Sequence, residues 1–169
     1  VKLNTKILLF CISLSFFGCL KKEVYPPEPY LEYRGFYTIP DANGIDQSGQ
    51  LSLYFTDGDG DFGLNESDTL PPYDKEGGYY YNLIIDYFEI QNGVPVAFSF
   101  PDIPFSSRIK PLVPLGRDKT LKGVIDVKIE AINNPFSSFD TIIFEAKIVD
   151  RALNVSNTVS TPPIKIKKQ

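Results

Sequence analysis

From position 31 onward, strand-like runs, several alternating apolar and polar at every second residue, follow one another between turn residues, and no apolar period of 3.6 residues lasts beyond two turns. A two-residue period can bury one face only as a strand, so the pattern excludes helical architectures. Leu31, Tyr33, Tyr37 and Ile39 alternate with Glu32, Arg34 and Thr38, and Leu51, Leu53 and Phe55 alternate with Ser52, Tyr54 and Thr56. The cleanest alternation sets Ile125, Val127, Ile129 and Ala131 against Asp126, Lys128 and Glu130. Residues 79–91 are β-branched and aromatic, and Asn92-Gly93 is a hairpin turn into a further strand over 94–100. Strands are also predicted over 141–149 and 155–167, with a short one near 108–113. Seven or eight strands separated by turn signals predict an all-β chain, folded over residues 31–169 as a single immunoglobulin-like β-sandwich.

The first 30 residues carry a different signal. Lys2 and Lys6 precede an apolar run over 7–17, too short to span a hydrocarbon core of ~30 Å. The run stops at Gly18-Cys19, which predicts a cleaved signal peptide over 1–18. Phe16-Phe17-Gly18-Cys19 resembles the lipobox of bacterial lipoproteins, with Phe16 where leucine is usual. The resemblance implies acylation of Cys19 and a lipid-anchored protein of the bacterial cell envelope, at the outer membrane. An ordinary secretory signal and a single membrane span are the alternatives. Cys11 would leave with the leader, so the mature chain has no pair of thiols for a disulfide. Residues 19–30 contain Pro26, Pro27 and Pro29 and read as a tether. In polyproline II form, at ~3.1 Å per residue, its residues 20–30 would reach roughly 30 Å.

Charge and residue usage narrow the function classes. The net charge is −4, and losing Lys2 and Lys6 makes the mature chain two units more negative. Basic residues cluster only at Lys165, Lys167 and Lys168, which argues against a nucleic-acid partner. The chain has no histidine, so the usual base for serine or cysteine hydrolysis is missing. Glu130 and Glu145 sit in alternating strands among Asp126, Lys128 and Lys147, as solvated faces do. The expectation is a protein that is not an enzyme.

One local motif has a chemical mechanism. Asp57-Gly58-Asp59-Gly60-Asp61 places three carboxylates at every second position, with glycines that let the chain curl. Converging carboxylates repel one another unless a hard cation sits among them, and without histidine the natural ion is calcium rather than zinc. Against the EF-hand pattern, Asp57, Asp59 and Asp61 fall on positions 1, 3 and 5, Gly63 on 7, Asn65 on 9 and Asp68 on 12. Phe62 stands where that loop needs glycine, Asp68 is shorter than the usual glutamate, and no helices flank it. The motif is similar instead to DxDxD loops grafted between strands of extracellular β-domains. A merely solvated Asp-Gly turn is the plain alternative.

A second fragment, Asp150-Arg151-Ala152-Leu153-Asn154-Val155-Ser156, resembles the Asp-x-Ala-x-Asn-x-Ser turn between the last two strands of bacterial immunoglobulin-like and cadherin-like domains. In that topology the loops after the second and sixth strands emerge at one end. Asp150 and Asn154 would then join Asp57, Asp59, Asp61 and Asp68 around a metal ion, or else only shape a tight turn. The layout as a whole resembles envelope lipoproteins of the Bacteroidota. That resemblance implies a non-catalytic binding or structural module with a calcium-stabilised loop and an envelope protein as partner. The alternative is a glycan-binding lipoprotein of a polysaccharide-utilisation system, with Tyr73 and Phe105 as exposed aromatics in loops and most other tyrosines in the core.

Overall fold

The computed structural model describes residues 23–99, 105–112 and 120–168, so the signal peptide, Cys19 and residues 20–22 lie outside the described residues. The strands are β1 (Tyr30–Pro40), β2 (Asp46–Asp57), β3 (Leu83–Gln91), β4 (Val94–Phe98), β5 (Leu121–Ile129), β6 (Thr141–Ile148), β7 (Val159–Ser160) and β8 (Ile164–Lys165). They form two antiparallel sheets, one ordered β1-β2-β5 and the other β4-β3-β6-β7, with β8 also on β6. The expected all-β sandwich is present. Its central strands β2, β3 and β6 bury every second side chain, as the alternation requires.

Departures from the expected strands have local causes. The strand expected from Tyr79 begins only at Leu83, because the residues before it are engaged elsewhere: the Tyr79 amide donates to the Pro72 carbonyl at 3.1 Å. Arg108 takes the carbonyl of Tyr80, and the buried Asn82 exchanges two hydrogen bonds with the backbone of Ile109, at 2.6 and 2.9 Å. The last strand is split into β7 and β8 at Pro162-Pro163, which have no N–H to give. The Thr161 hydroxyl accepts from the Phe144 amide at 3.1 Å, and the pairing slips by one residue across the gap. β5 ends before Ala131, whose φ of 56° is incompatible with a strand. Instead of a strand near 108–113 there is one bridge, Leu83 to Ser107, and residues 113–119 are outside the described set.

Leu51, Leu53 and Phe55 of β2 and Ile125, Val127 and Ile129 of β5 face Leu83, Ile85 and Tyr87 of β3 and Ile142, Phe144 and Ile148 of β6. Phe36 stacks on Phe144 at 5.4 Å, joining the sheets, and Tyr87 stacks on Phe105 at 5.2 Å. Phe105 is therefore a core residue and not the exposed aromatic expected from its loop position. At one end of the sandwich the loop after β5 closes over Glu89. This carboxylate, 1% exposed, accepts from Asn134, Ser137, Gln91 and Tyr87. Its hydrogen-bonding capacity is used within the fold.

The described part of the tether, residues 23–29, lies against the domain. Glu23 pairs with Lys122, Pro29 is buried, and a β-carbon at Gly58 would overlap the carbonyl oxygens of Tyr25 and Pro26. The ion pair, the buried Pro29 and the close backbone approach at Gly58 hold down a segment whose composition reads as free-standing. Gly58→Ala is expected to cost about 1–3 kcal/mol, as overpacking against backbone does. It should also expose residues 23–29 to protease. A variant that melts and is cleaved as the parent does would mean that this contact does not hold the segment.

Candidate metal centre

The acidic loop follows directly from the end of β2, in the middle of one sheet. It is pinned by its own apolar residues: Phe62 is buried against Phe55, with ring centroids 5.5 Å apart, and the buried Leu64 donates its amide to the Ile109 carbonyl. Phe62, the residue least compatible with an EF-hand, is thus the plug that fixes this loop in the core. Gly60 has a φ of 73°, and the turn there carries the amides of Gly60 and Phe62 to the two Asp57 oxygens, at 3.3 and 2.8 Å.

Asp57, Asp59 and Asp61 converge as the spacing predicts. One carboxylate oxygen from each lies within 4.8 Å of the others. Two oxygens bound to one cation at ~2.3–2.6 Å can be no farther apart than roughly 5 Å, so a single ion can touch all three. Asp57 is fully buried. One oxygen of Asp59 and one of Asp61 are also shielded from solvent, and neither has a hydrogen-bond partner. Buried carboxylate oxygens without donors are costly, and a cation removes that cost. The group can hold a metal ion.

The turn after β6 reaches the same end of the sandwich. Asp150, 2% exposed, stands near enough that its charge raises the pKa of Asp61, while the charge of Asp59 raises that of Asp150. Burial is the larger cause of both shifts. The amides of Arg151 and Ala152 oppose the shift at Asp61. Asp57 is pushed up to about 7, first by burial, with the Phe62 amide pulling the other way. Such crowding is the electrostatic signature of a site short of positive charge.

Two expected ligands have other partners. Asn154 gives its backbone amide and its side-chain amide to the two oxygens of Asp150, each at 2.8 Å, forming the tight turn weighed as the plainer reading. Leu153, with a φ of 68°, completes that turn. Asp150 therefore shapes the turn and faces the acidic group at once. Asp68 is paired instead with Arg151: its oxygens lie 2.5 and 3.1 Å from that guanidinium, and the Asn65 amide donates to it at 2.7 Å. Arg151 holds the Asp68 carboxyl below the usual carboxylate range. An arginine fork matches a carboxylate in two places, which is why this pairing displaces the expected ligand role.

Two arginines that sequence reasoning did not single out organise the rest of the loop. Arg151 also reaches the Gly63 carbonyl at 3.4 Å, and its own carbonyl accepts from the Tyr73 hydroxyl at 2.5 Å. Arg108 donates to four carbonyls, those of Tyr80, Asp68, Asn65 and Tyr73, at 2.7, 2.8, 2.9 and 3.2 Å. No local pattern marks either residue. No family model, curated protein or solved structure matches the chain.

Proposed function

We propose that the protein is a lipid-anchored, non-catalytic β-sandwich of the bacterial cell envelope, and that its loop over 57–61 binds calcium. The carrying observation is the pair of shielded, donorless oxygens on Asp59 and Asp61 beside the fully buried Asp57. An all-oxygen set of carboxylates suits a hard cation and disfavours zinc or copper, which take nitrogen and sulfur. Flexible, irregular coordination by a loop favours calcium over magnesium, which demands a near-ideal octahedron and keeps its waters. The lipid anchor is supported by the run ending in Gly18-Cys19.

Isothermal titration of the metal-free protein with calcium chloride, and separately with magnesium chloride, tests the loop. One calcium per chain should bind, magnesium should bind at least tenfold more weakly, and Asp59→Ala should abolish the calcium heat. Absence of saturable heat together with no calcium by elemental analysis would refute the metal reading.

A further inference from the structure

The N-terminal segment joins the sandwich at one end. Glu23 pairs with Lys122, which stands opposite Thr56 beside the last residue of β2, and the carbonyls of Tyr25 and Pro26 lie against Gly58. The amide and carbonyl of Leu31 are both held by the Asn157 side chain, at 2.8 and 2.9 Å, just beyond the turn that follows β6. Three separate parts of the fold therefore fasten the segment to the end that carries the acidic loop.

That attachment sets how far the domain stands from an acylated Cys19. Four residue steps separate Cys19 from Glu23, and an extended chain covers at most about 14 Å in that number. β2 has 12 residues, so the sandwich is roughly 40 Å long at ~3.3 Å per residue. The hairpin turn at Asn92-Gly93 and the loop over 130–140 lie at the opposite end, beyond that reach. Only the end with the acidic loop can be brought to the bilayer.

This end carries exposed aliphatic side chains on four separate segments. Val24 is on the N-terminal segment, Leu70 on the connection between β2 and β3, Leu112 beside Pro111, whose backbone packs on Gly63, and Leu153 in the turn after β6. Tyr73 ties two of these segments together, its amide donating to the Leu70 carbonyl at 3.0 Å and its hydroxyl to the Arg151 carbonyl at 2.5 Å. Exposed apolar residues do not by themselves select an end, since Val94 and Phe136 project at the other. The position of the anchor selects it. The flanks suit lipid less well, because Lys122, Asp126 and Lys128 project from β5 and Asp86 from β3. A bilayer interface accepts aliphatic side chains to a depth of about 5–10 Å, and an anchor that keeps a surface close lets individually weak contacts persist.

We propose that this end of the sandwich sits on the lipid bilayer, with Val24, Leu70, Leu112 and Leu153 in the headgroup boundary and residues 23–29 acting as a strap rather than a spacer. This surface depends on the reading of the chain as lipid-anchored and gives that anchor an orientation. The mature, lipid-modified chain is inserted into vesicles of phosphatidylcholine and phosphatidylethanolamine, a neutral surface on which the charge of the acidic group does not decide the outcome. A bimane label is placed at Leu70→Cys or, at the opposite end, at Phe136→Cys; the two residues are 75% and 90% exposed, so either substitution leaves the core intact. Lipid carrying a headgroup nitroxide should remove about half or more of the emission at 70, where the label lies at headgroup depth, and should leave the emission at 136 unchanged. Neutron reflectometry of the unsubstituted chain should show protein directly against the headgroups, without the water layer of roughly 30 Å that an extended tether would leave. Quenching at 136 equal to or above that at 70, quenching at neither position, or a water layer of that depth would overturn the surface. Mass spectrometry separates the two readings: acyl chains on Cys19 together with any of those results refute the surface alone, whereas an unmodified Cys19 refutes the anchor and the surface with it.

Discussion

In saturating calcium the protein is expected to melt about 5–10 °C higher than in chelator at pH 8. An ion present at a hundredfold excess over its dissociation constant adds about 2.7 kcal/mol to the folded state, and each kcal/mol moves the midpoint of a domain this size by roughly 2–4 °C. The acidic group adds a pH signature with a fixed sign. Asp57 is raised to about 7 in the metal-free fold, and burial raises Asp61 and Asp150 as well. A carboxyl whose folded pKa lies above its unfolded value stabilises the fold below the unfolded pKa. That contribution is lost as pH rises through the folded one. From these groups, metal-free stability should therefore fall between about pH 4 and pH 7. Calcium binds the deprotonated set, so the calcium-minus-chelator difference in melting temperature should grow from pH 5 to pH 8. Asp68, whose pKa Arg151 lowers, acts only at the acid end, where its protonation removes stability below about pH 4. Coincident melts at pH 8, or a difference that shrinks with pH, would contradict a metal held by these carboxylates.

The legible parts of the fold were those governed by neighbours in sequence. Alternation located β2 and β5 because one face of each is in the core and each residue reports its own side. The convergence of Asp57, Asp59 and Asp61 was legible for the same reason, since three side chains within five residues share one turn. The nearness of Asp150 to the acidic group was legible through a topological step, the emergence of two loops at one end of the sandwich. Asp68 was not, because its partner Arg151 lies 83 residues away and nothing local distinguishes an arginine-bound aspartate from a metal-bound one. Phe105 read as exposed because its loop has no period, although its ring stacks on Tyr87. Glu89 was readable in principle: it is in phase with Leu83, Ile85 and Tyr87, which marks it as inward-facing. Its buried partners, supplied largely by residues 134 and 137, were beyond local pattern.

Arg108→Ala is expected to destabilise the protein by about 2–4 kcal/mol and to free the connection between β2 and β3. Charged hydrogen bonds contribute roughly 1.5–3 kcal/mol each, and this guanidinium donates to four carbonyls. The sum is an overestimate, because Arg108 is only half-buried and water can replace part of the set. Lysine should restore little, since one ammonium has three donors on a single point and cannot span carbonyls from residues 65 to 80 as a planar fork does. Lys110→Ala is the contrasting variant. Its pair with Glu66 is 2.7 Å long, but the side chains are 72% and 82% exposed. Exposed pairs of this kind contribute about 0–1 kcal/mol. The two arginine variants should therefore show fast hydrogen exchange over 65–80 with protection retained in β2 and β6, while Lys110→Ala exchanges as the parent does. If Arg108→Ala left exchange over 65–80 slow, the loop would be held by Phe62, Leu64 and the Asp68–Arg151 pair without it. The connection would then stand on the same framework as the acidic group.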